Sequence, residues 1–175
     1  MIKHRADLYK LLPENPVTVE LGVAEGLFSN DIIRNWNPKL HYLIDTWETA
    51  KLPGDVGSEQ SWHDSNYNNV LKLLEGLSNY KILRGLTVQM SGHIPDNSVD
   101  LVYIDACHSY ECVRDDINAY WDKLKSGGVM AFHDYEMQHY GVKQAVQEFA
   151  TVRKLEVHLL PENAMKDAGA YIYKP

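Results

Sequence analysis

A three-layer α/β fold, built on a seven-stranded and mostly parallel sheet with an antiparallel C-terminal strand, is predicted by three features of this 175-residue chain. Short apolar stretches alternate with amphipathic ones, the pattern of a sheet covered on both faces. Residues 17–26, Val-Thr-Val-Glu-Leu-Gly-Val-Ala-Glu-Gly, form an apolar strand that ends on an acid and opens into a glycine-spaced turn. Phe28, Ile32, Ile33 and Trp36 follow at near-helical spacing, so the turn joins a buried strand to a helix N-terminus. The last two strand-like stretches are separated only by residues 161–168, too few for a helical crossover, and so pair as an antiparallel hairpin.

In chain order, a leading helix over 2–12 precedes strands over 17–21, 40–44, 80–84, 99–105, 128–133, 154–160 and 169–174, a Rossmann-like alternation with helices over 26–36, 62–77, 109–124 and 141–152. Val113, Ile117, Tyr120 and Leu124 share one face of the helix over 109–124. Val142, Val146, Phe149 and Val152 do so over 141–152, and both stripes are core. Residues 53–65, rich in Gly, Asp and Ser, read as a mobile surface loop carrying Trp62, His63 and Asp64. There is no internal repeat and no low-complexity tract.

Composition narrows the class. The length suits one domain over residues 1–175, and 45% apolar residues suffice for a single core. A net charge of −7 and a pI near 5.6 argue against a dedicated nucleic-acid binder, which needs a basic face to neutralise phosphates. No stretch is apolar for long enough to be a signal peptide or a membrane span, so a soluble, cytoplasmic protein is expected. Cys107 and Cys112 are too few for a disulfide framework and match no usual zinc spacing; they read as reduced packing residues.

In an open α/β sheet a ligand binds beyond the carboxyl ends of the strands, near the point where strand order reverses. The first strand ends in Glu20, Gly22, Val23, Ala24 and Gly26, spaced E-x-G-x-A-x-G rather than the G-x-G-x-x-G of dinucleotide loops, which leans toward S-adenosylmethionine. The second ends in Asp45, Thr46 and Trp47, with Asp45 placed to accept the hydroxyls of a ribose. Trp47 either shields a cofactor or packs under a neighbouring helix. The third ends in Gly85, Leu86 and Thr87, which can flank an adenine ring, Thr87 being equally an N-cap.

The richest chemistry lies at the fourth and fifth strands. Asp105 ends one, His108 follows three residues later before a helix capped by Ser109, and His133 and Asp134 end the other. Adjacent strand ends lie about 5 Å apart, so Asp105, His133 and Asp134 can share one cation. Two carboxylates and an imidazole suit Mg²⁺ or Mn²⁺ and admit Fe²⁺ or Zn²⁺. His108 is a candidate base for a substrate hydroxyl. Taken singly, His133 also reads as a packed histidine and Asp134 as a turn cap.

Residues 15–175 resemble class I S-adenosylmethionine-dependent methyltransferases, on Val-Glu-Leu-Gly-Val-Ala-Glu-Gly, Leu-Ile-Asp-Thr-Trp, Val-Tyr-Ile-Asp-Ala-Cys-His-Ser-Tyr, Leu-Lys-Ser-Gly-Gly-Val-Met-Ala-Phe-His-Asp-Tyr and Gly-Val-Lys-Gln-Ala-Val. More narrowly, the chain looks like the branch with macrolide-sugar and catechol-type O-methyltransferases. The resemblance implies a cofactor turn on Glu20, Gly22 and Gly26, a ribose acid on Asp45, metal ligands on Asp105, His133 and Asp134, and a base on His108. At the strand-five pair the catechol-type enzymes show Asp-Asn and the macrolide-sugar type an acidic pair, where this chain has His-Asp. The expected activity is methyl transfer from S-adenosylmethionine to a hydroxyl of a small-molecule acceptor, with divalent-cation assistance. The alternative is a non-catalytic module that binds S-adenosylmethionine or S-adenosylhomocysteine; an NAD-linked oxidoreductase is disfavoured by the glycine spacing. No nucleic-acid or membrane partner is expected, and the oligomeric state stays open.

Overall fold

The strands β1 (Val17–Leu21), β2 (Leu40–Asp45), β3 (Tyr80–Arg84), β4 (Val99–Ile104), β5 (Leu124–Phe132), β6 (His158–Leu160) and β7 (Gly169–Tyr173) form one sheet in the order β3-β2-β1-β4-β5-β7-β6. The computed structural model describes residues 2, 4–49, 59–138, 140–160 and 168–175. Strands β1 to β5 are parallel to their neighbours among themselves, whereas β7 runs antiparallel to both β5 and β6. The hairpin expected from the short final connection is therefore present, with β7 inside and β6 at the edge; residues 161–167 of that connection lie outside the described residues.

Period-two alternation divides each central strand between two cores. Val19, Leu21, Val102, Ile104, Met130 and Phe132 join the cluster under α4 (Tyr110–Trp121) and α5 (Val142–Arg153). Leu101, Tyr103, Val129 and Ala131 point the other way, toward Leu8, Phe28, Ile32 and Trp36. A third cluster, Val23, Ile33, Leu43, Trp47, Val70 and Leu74, seats α2 (Gln60–Leu73) beside β2. The helix expected over 26–36 is α1 (Leu27–Asp31) continued by a π-helical turn, Ile32–Trp36. Across that turn Ile32 and Trp36 stay in one cluster while Ile33 enters another.

Several boundaries differ from the expectation. The leading helix is a 3₁₀ helix, Arg5–Leu11. Trp62, His63 and Asp64 lie in the first turns of α2 rather than on a loop, and the 53–58 part of that expected loop lies outside the described residues. A short helix, α3 (Thr87–Met90), followed by a 3₁₀ turn, Ser91–His93, was not expected, because so few residues carry no measurable periodicity. Leu124 opens β5 instead of closing the preceding helix. Val152 is 78% exposed rather than core: ten residues on from Val142, it stands about 80° round the helix from it. Lys154, left-handed at φ 56°, ends α5, so the next strand begins at His158 and not at residue 154. Among the described residues no helix is long and apolar enough to cross a membrane. Cys107 and Cys112 are half-buried, and the Cys107 thiol donates to the Ser109 hydroxyl at 3.6 Å.

Candidate functional site

Strand order reverses between β1 and β4, which opens a crevice at their carboxyl ends. There the Gly22 amide donates to the Ile44 carbonyl at 2.9 Å, and the Asp105 amide to the Leu21 carbonyl at 2.8 Å, so the ends of β2, β1 and β4 run on in contact. Gly22 holds φ +83°, and a Cβ on it would stand 2.0 Å from the Asp105 carbonyl oxygen. Only glycine fits this position. Gly26, at φ +82°, caps α1, and a Cβ there would stand 2.7 Å from Val70 Cγ2.

Between these glycines Ala24 is also left-handed, at φ 48°, and the turn is held by Asp45. Asp45 Oδ2 accepts the Val23 and Ala24 amides, each at 2.9 Å, while Oδ1 accepts the Trp47 amide at 2.8 Å. A carboxylate has about four acceptor sites, and three are filled here. The acid expected to take both ribose hydroxyls thus keeps one acceptor site and spends the others on the turn. Trp47 is fully buried, 5.0 Å from the Tyr67 ring, and its indole Nε1 donates to the Ala24 carbonyl at 2.8 Å. It packs under the helix and has no exposed face with which to shield a cofactor. Thr46 is half-buried, and its carbonyl accepts from Arg84 Nε at 3.1 Å. Arg84 also binds the Trp47 carbonyl and lies over the Tyr67 ring, a clamp that sequence reasoning missed.

At the third strand end, Leu86 is 37% exposed and offers apolar surface. Thr87 is not an N-cap: Leu86 occupies that position, and the Thr87 hydroxyl donates to the buried Asp116 carboxyl on α4. Tyr120 donates to the Thr87 carbonyl at 2.6 Å, tying α3 to α4. Glu20, expected as the acid of the cofactor turn, is only 3% exposed. It accepts a hydrogen bond from Ser29 on α1, and His41 on β2 lies 3.6 Å away. The other His41 ring nitrogen pairs with Thr18 at 2.8 Å. Burial pushes the Glu20 carboxyl above its usual range, against the opposing pull of His41 and Ser29. Glu20 therefore serves to bind α1 to the sheet; Ser29 and His41 carried no signal beyond being polar at core positions.

The structure brings Asp105, His108, His133 and Asp134 together: one ligand atom from each lies within 4.8 Å of all the others. His108 Nε2 stands 3.5 Å from Asp105 Oδ1 and 3.1 Å from Asp134 Oδ2. His133 Nδ1 stands 3.3 Å from Asp105 Oδ1 and 3.2 Å from Asp134 Oδ2. These are hydrogen-bond distances without hydrogen-bond direction, since both nitrogens are buried and neither makes an aligned bond. The four atoms face a shared centre rather than one another. That donor set, two anionic oxygens and two imidazole nitrogens, fits a divalent cation.

The electrostatics tie the four groups to one another. Burial disfavours both charged imidazoles, but the flanking Asp105 and Asp134 outweigh it and push His108 up to about 9 and His133 up to about 10. Burial likewise raises the two carboxyls, and the histidines outweigh it, leaving Asp105 and Asp134 below their usual range. Asp134 is held at φ 53°, an uncommon backbone for a residue other than glycine. Two further residues border the cluster that spacing alone does not bring to it. Arg5, from the N-terminal 3₁₀ helix, places Nη1 3.9 Å from Asp105 Oδ2 and lies over the Phe28 ring. Tyr140 stacks on His108, with ring centres 4.4 Å apart and planes 16° from parallel.

A family model described as a methyltransferase domain matches residues 19–135. A curated relative, the uncharacterized protein y4gI of Sinorhizobium fredii (strain NBRC 101917 / NGR234), is 30% identical over 115 residues; the match covers 64% of this chain and 12% of that protein. Among solved structures, an rRNA methylase from Streptococcus thermophilus superposes with a TM-score of 0.68 at 17% identity, covering 99% of this chain and 98% of that one. The O-methyltransferase NovP gives 0.65 at 19%, covering 97% and 75%. Spermidine synthase from Thermotoga maritima gives 0.65 at 14%, covering 100% of this chain but 57% of that one. At such identities these structures speak for the fold alone, and they carry three different acceptor chemistries on it. With its cofactor-type turn at the β1–β4 switch point and the family match spanning both the turn and the Asp105–Asp134 cluster, the chain belongs to the methyltransferase-domain family, in its class I, S-adenosylmethionine-dependent fold.

Proposed function

We propose that this protein transfers the methyl group of S-adenosylmethionine to a hydroxyl oxygen of a small molecule, assisted by a divalent cation at Asp105, His133 and Asp134. One observation carries the reading: Asp105 belongs to both halves of the site. Its main chain packs on Gly22 of the cofactor turn, and its side chain points into the four-group cluster. A single residue thus fixes the spacing between a methyl donor at the turn and an acceptor at the cluster. Such positioning is worth about 7–11 kcal/mol relative to a dilute bimolecular reaction.

The residues divide the work. Gly22 and Gly26 let Asp105 and Val70 close on the turn, the Asp45–Trp47 pair holds the turn in its left-handed shape, and Leu86 supplies apolar surface for an adenine ring. A cation, when bound, lowers the pKa of a hydroxyl that approaches it. His108 is the base that the family resemblance implies, and its Nε2 is buried beside Asp105 and Asp134, among the groups that would hold the cation. In this reading His108 stays among the ligating groups and the acceptor proton passes to solvent. A small-molecule hydroxyl is favoured over RNA because the net charge of −7 opposes a polyanion, and NovP offers an O-methylating precedent on this fold.

An acceptor survey that reads S-adenosylhomocysteine release tests this. Turnover on a hydroxylated small molecule, lost by about 10²-fold or more in His133→Ala with cofactor affinity kept within a few-fold, is the expected result. Cofactor binding with no turnover on any acceptor class would leave a binding module instead.

A further inference from the structure

We infer that His108 is a metal ligand rather than a base, so that the cluster is a two-histidine, two-aspartate centre selective for a first-row transition cation of the Mn²⁺-to-Zn²⁺ series over Mg²⁺. The inference rests on the cation-assisted reading above and departs from the role that the family resemblance gives His108. Its geometric basis is the closed ring Asp105–His108–Asp134–His133, whose four sides measure 3.5, 3.1, 3.2 and 3.3 Å. Two donors about 2.0–2.3 Å from a shared ion, and roughly 90–110° apart, are separated by about 2.8–3.8 Å. His108 meets that criterion as well as the three residues expected from sequence.

Its chemical basis is the pair of orphaned nitrogens. His108 Nε2 and His133 Nδ1 are both removed from solvent, and neither has an aligned hydrogen-bond partner. A buried nitrogen left in that state costs about 1–3 kcal/mol, a cost that a shared cation relieves for both at once. A general base needs its nitrogen directed at the substrate, and here Nε2 is directed at two carboxylates. The ring is also fixed from behind: Tyr140 stacks on its face, and the His108 carbonyl accepts the Gly141 amide at 2.8 Å. Asp105 presents Oδ1 to the ring while its other oxygen faces Arg5, an outer contact of the kind that orients ligating carboxylates.

The donor set decides the cation. Mg²⁺ dehydrates reluctantly and takes oxygen ligands in near-octahedral geometry, so two imidazoles out of four protein donors suit it poorly. Imidazole favours Fe²⁺, Co²⁺ and Zn²⁺, and two carboxylates balance the charge of a divalent ion with both imidazoles neutral.

The full chain, stripped with a chelator, is titrated with Co²⁺, Zn²⁺ and Mg²⁺ by calorimetry, with visible absorption following Co²⁺. One-to-one Co²⁺ binding with ligand-field bands, at least about 100-fold tighter than Mg²⁺, is expected. His108→Ala loses about tenfold or more in Co²⁺ affinity and changes the bands, and His108→Asp narrows the gap between Co²⁺ and Mg²⁺. S-adenosylhomocysteine affinity, measured on the same samples, stays within about threefold and reports an intact fold. No Co²⁺ binding, Mg²⁺ binding as tight as Co²⁺, or a His108→Ala variant with the unaltered affinity and spectrum would overturn the inference. Cobalt binding that depends on His108 without any cofactor binding would instead remove the methyltransferase reading and leave the centre standing.

Discussion

Gly22 is the residue on which most of the site depends. Its conformation and the 2.0 Å approach to the Asp105 carbonyl exclude any side chain, so Gly22→Ala must push β1 and β4 apart at their ends. A cost of about 2–4 kcal/mol in urea unfolding follows, with cofactor affinity falling by at least tenfold. A variant within about 0.5 kcal/mol of the parent would show that the strand ends yield freely. This residue was legible in sequence, because a glycine directly after an apolar run marks a turn or a close approach of backbone. Trp47 was not: an aromatic just past a strand end packs or shields with equal ease until the neighbouring helix is placed. Glu20 reads as part of the cofactor turn from its spacing to Gly22 and Gly26, whereas its burial against Ser29 and His41 depends on neighbours that spacing does not identify. Asp105, His133 and Asp134 were visible as strand-end polar residues, whereas the place of His108 among them depends on a ring orientation that spacing alone does not fix.

At the scale of elements, the link between α3 and α4 carries its own test. Asp116 is buried on α4, and burial raises its carboxyl to about 7, with Thr87 pulling the other way and Asp115 adding to the rise. A carboxyl whose folded pKa lies above its unfolded value binds its proton more tightly when folded, so its contribution to stability falls as pH rises from about 4 to 7. Asp116→Asn removes that dependence while keeping an acceptor for Thr87. The variant should gain about 2 kcal/mol on the parent between pH 5 and pH 8 in parallel unfolding curves; a constant difference would mean that Asp116 is charged throughout. The N-terminal 3₁₀ helix is anchored by Leu8, which is fully buried against the cluster holding Phe28 and Trp36. Leu8→Ala should cost about 2–4 kcal/mol, measurable by the same method, and loosen the segment that brings Arg5 to Asp105. A cost below about 0.5 kcal/mol would place that segment outside the cooperative core. Long amphipathic elements were legible within a few residues, while α3 and the π-helical turn were not, since each is too short or too irregular to leave a period.

For the whole molecule, the sheet followed from two simple facts: apolar strands alternating with helices demand parallel pairing, and the short connection over residues 161–168 forbids a crossover. The same logic puts every functional strand end on one edge of the sheet, which is why four residues spread over positions 105–134 meet. Acceptor identity has no such rule behind it, because the same fold serves rRNA methylase, O-methyltransferase and spermidine synthase neighbours. What the functional account requires of this chain is an adenosyl-type crevice at the switch point. Calorimetric titration of S-adenosylhomocysteine into the purified chain, with NAD as comparison ligand, addresses it directly. One-to-one binding with a Kd on the order of micromolar, and none for NAD, is the predicted result. Absence of S-adenosylhomocysteine binding, or its displacement by NAD, would contradict the account and leave the glycine turn a structural feature of the sheet.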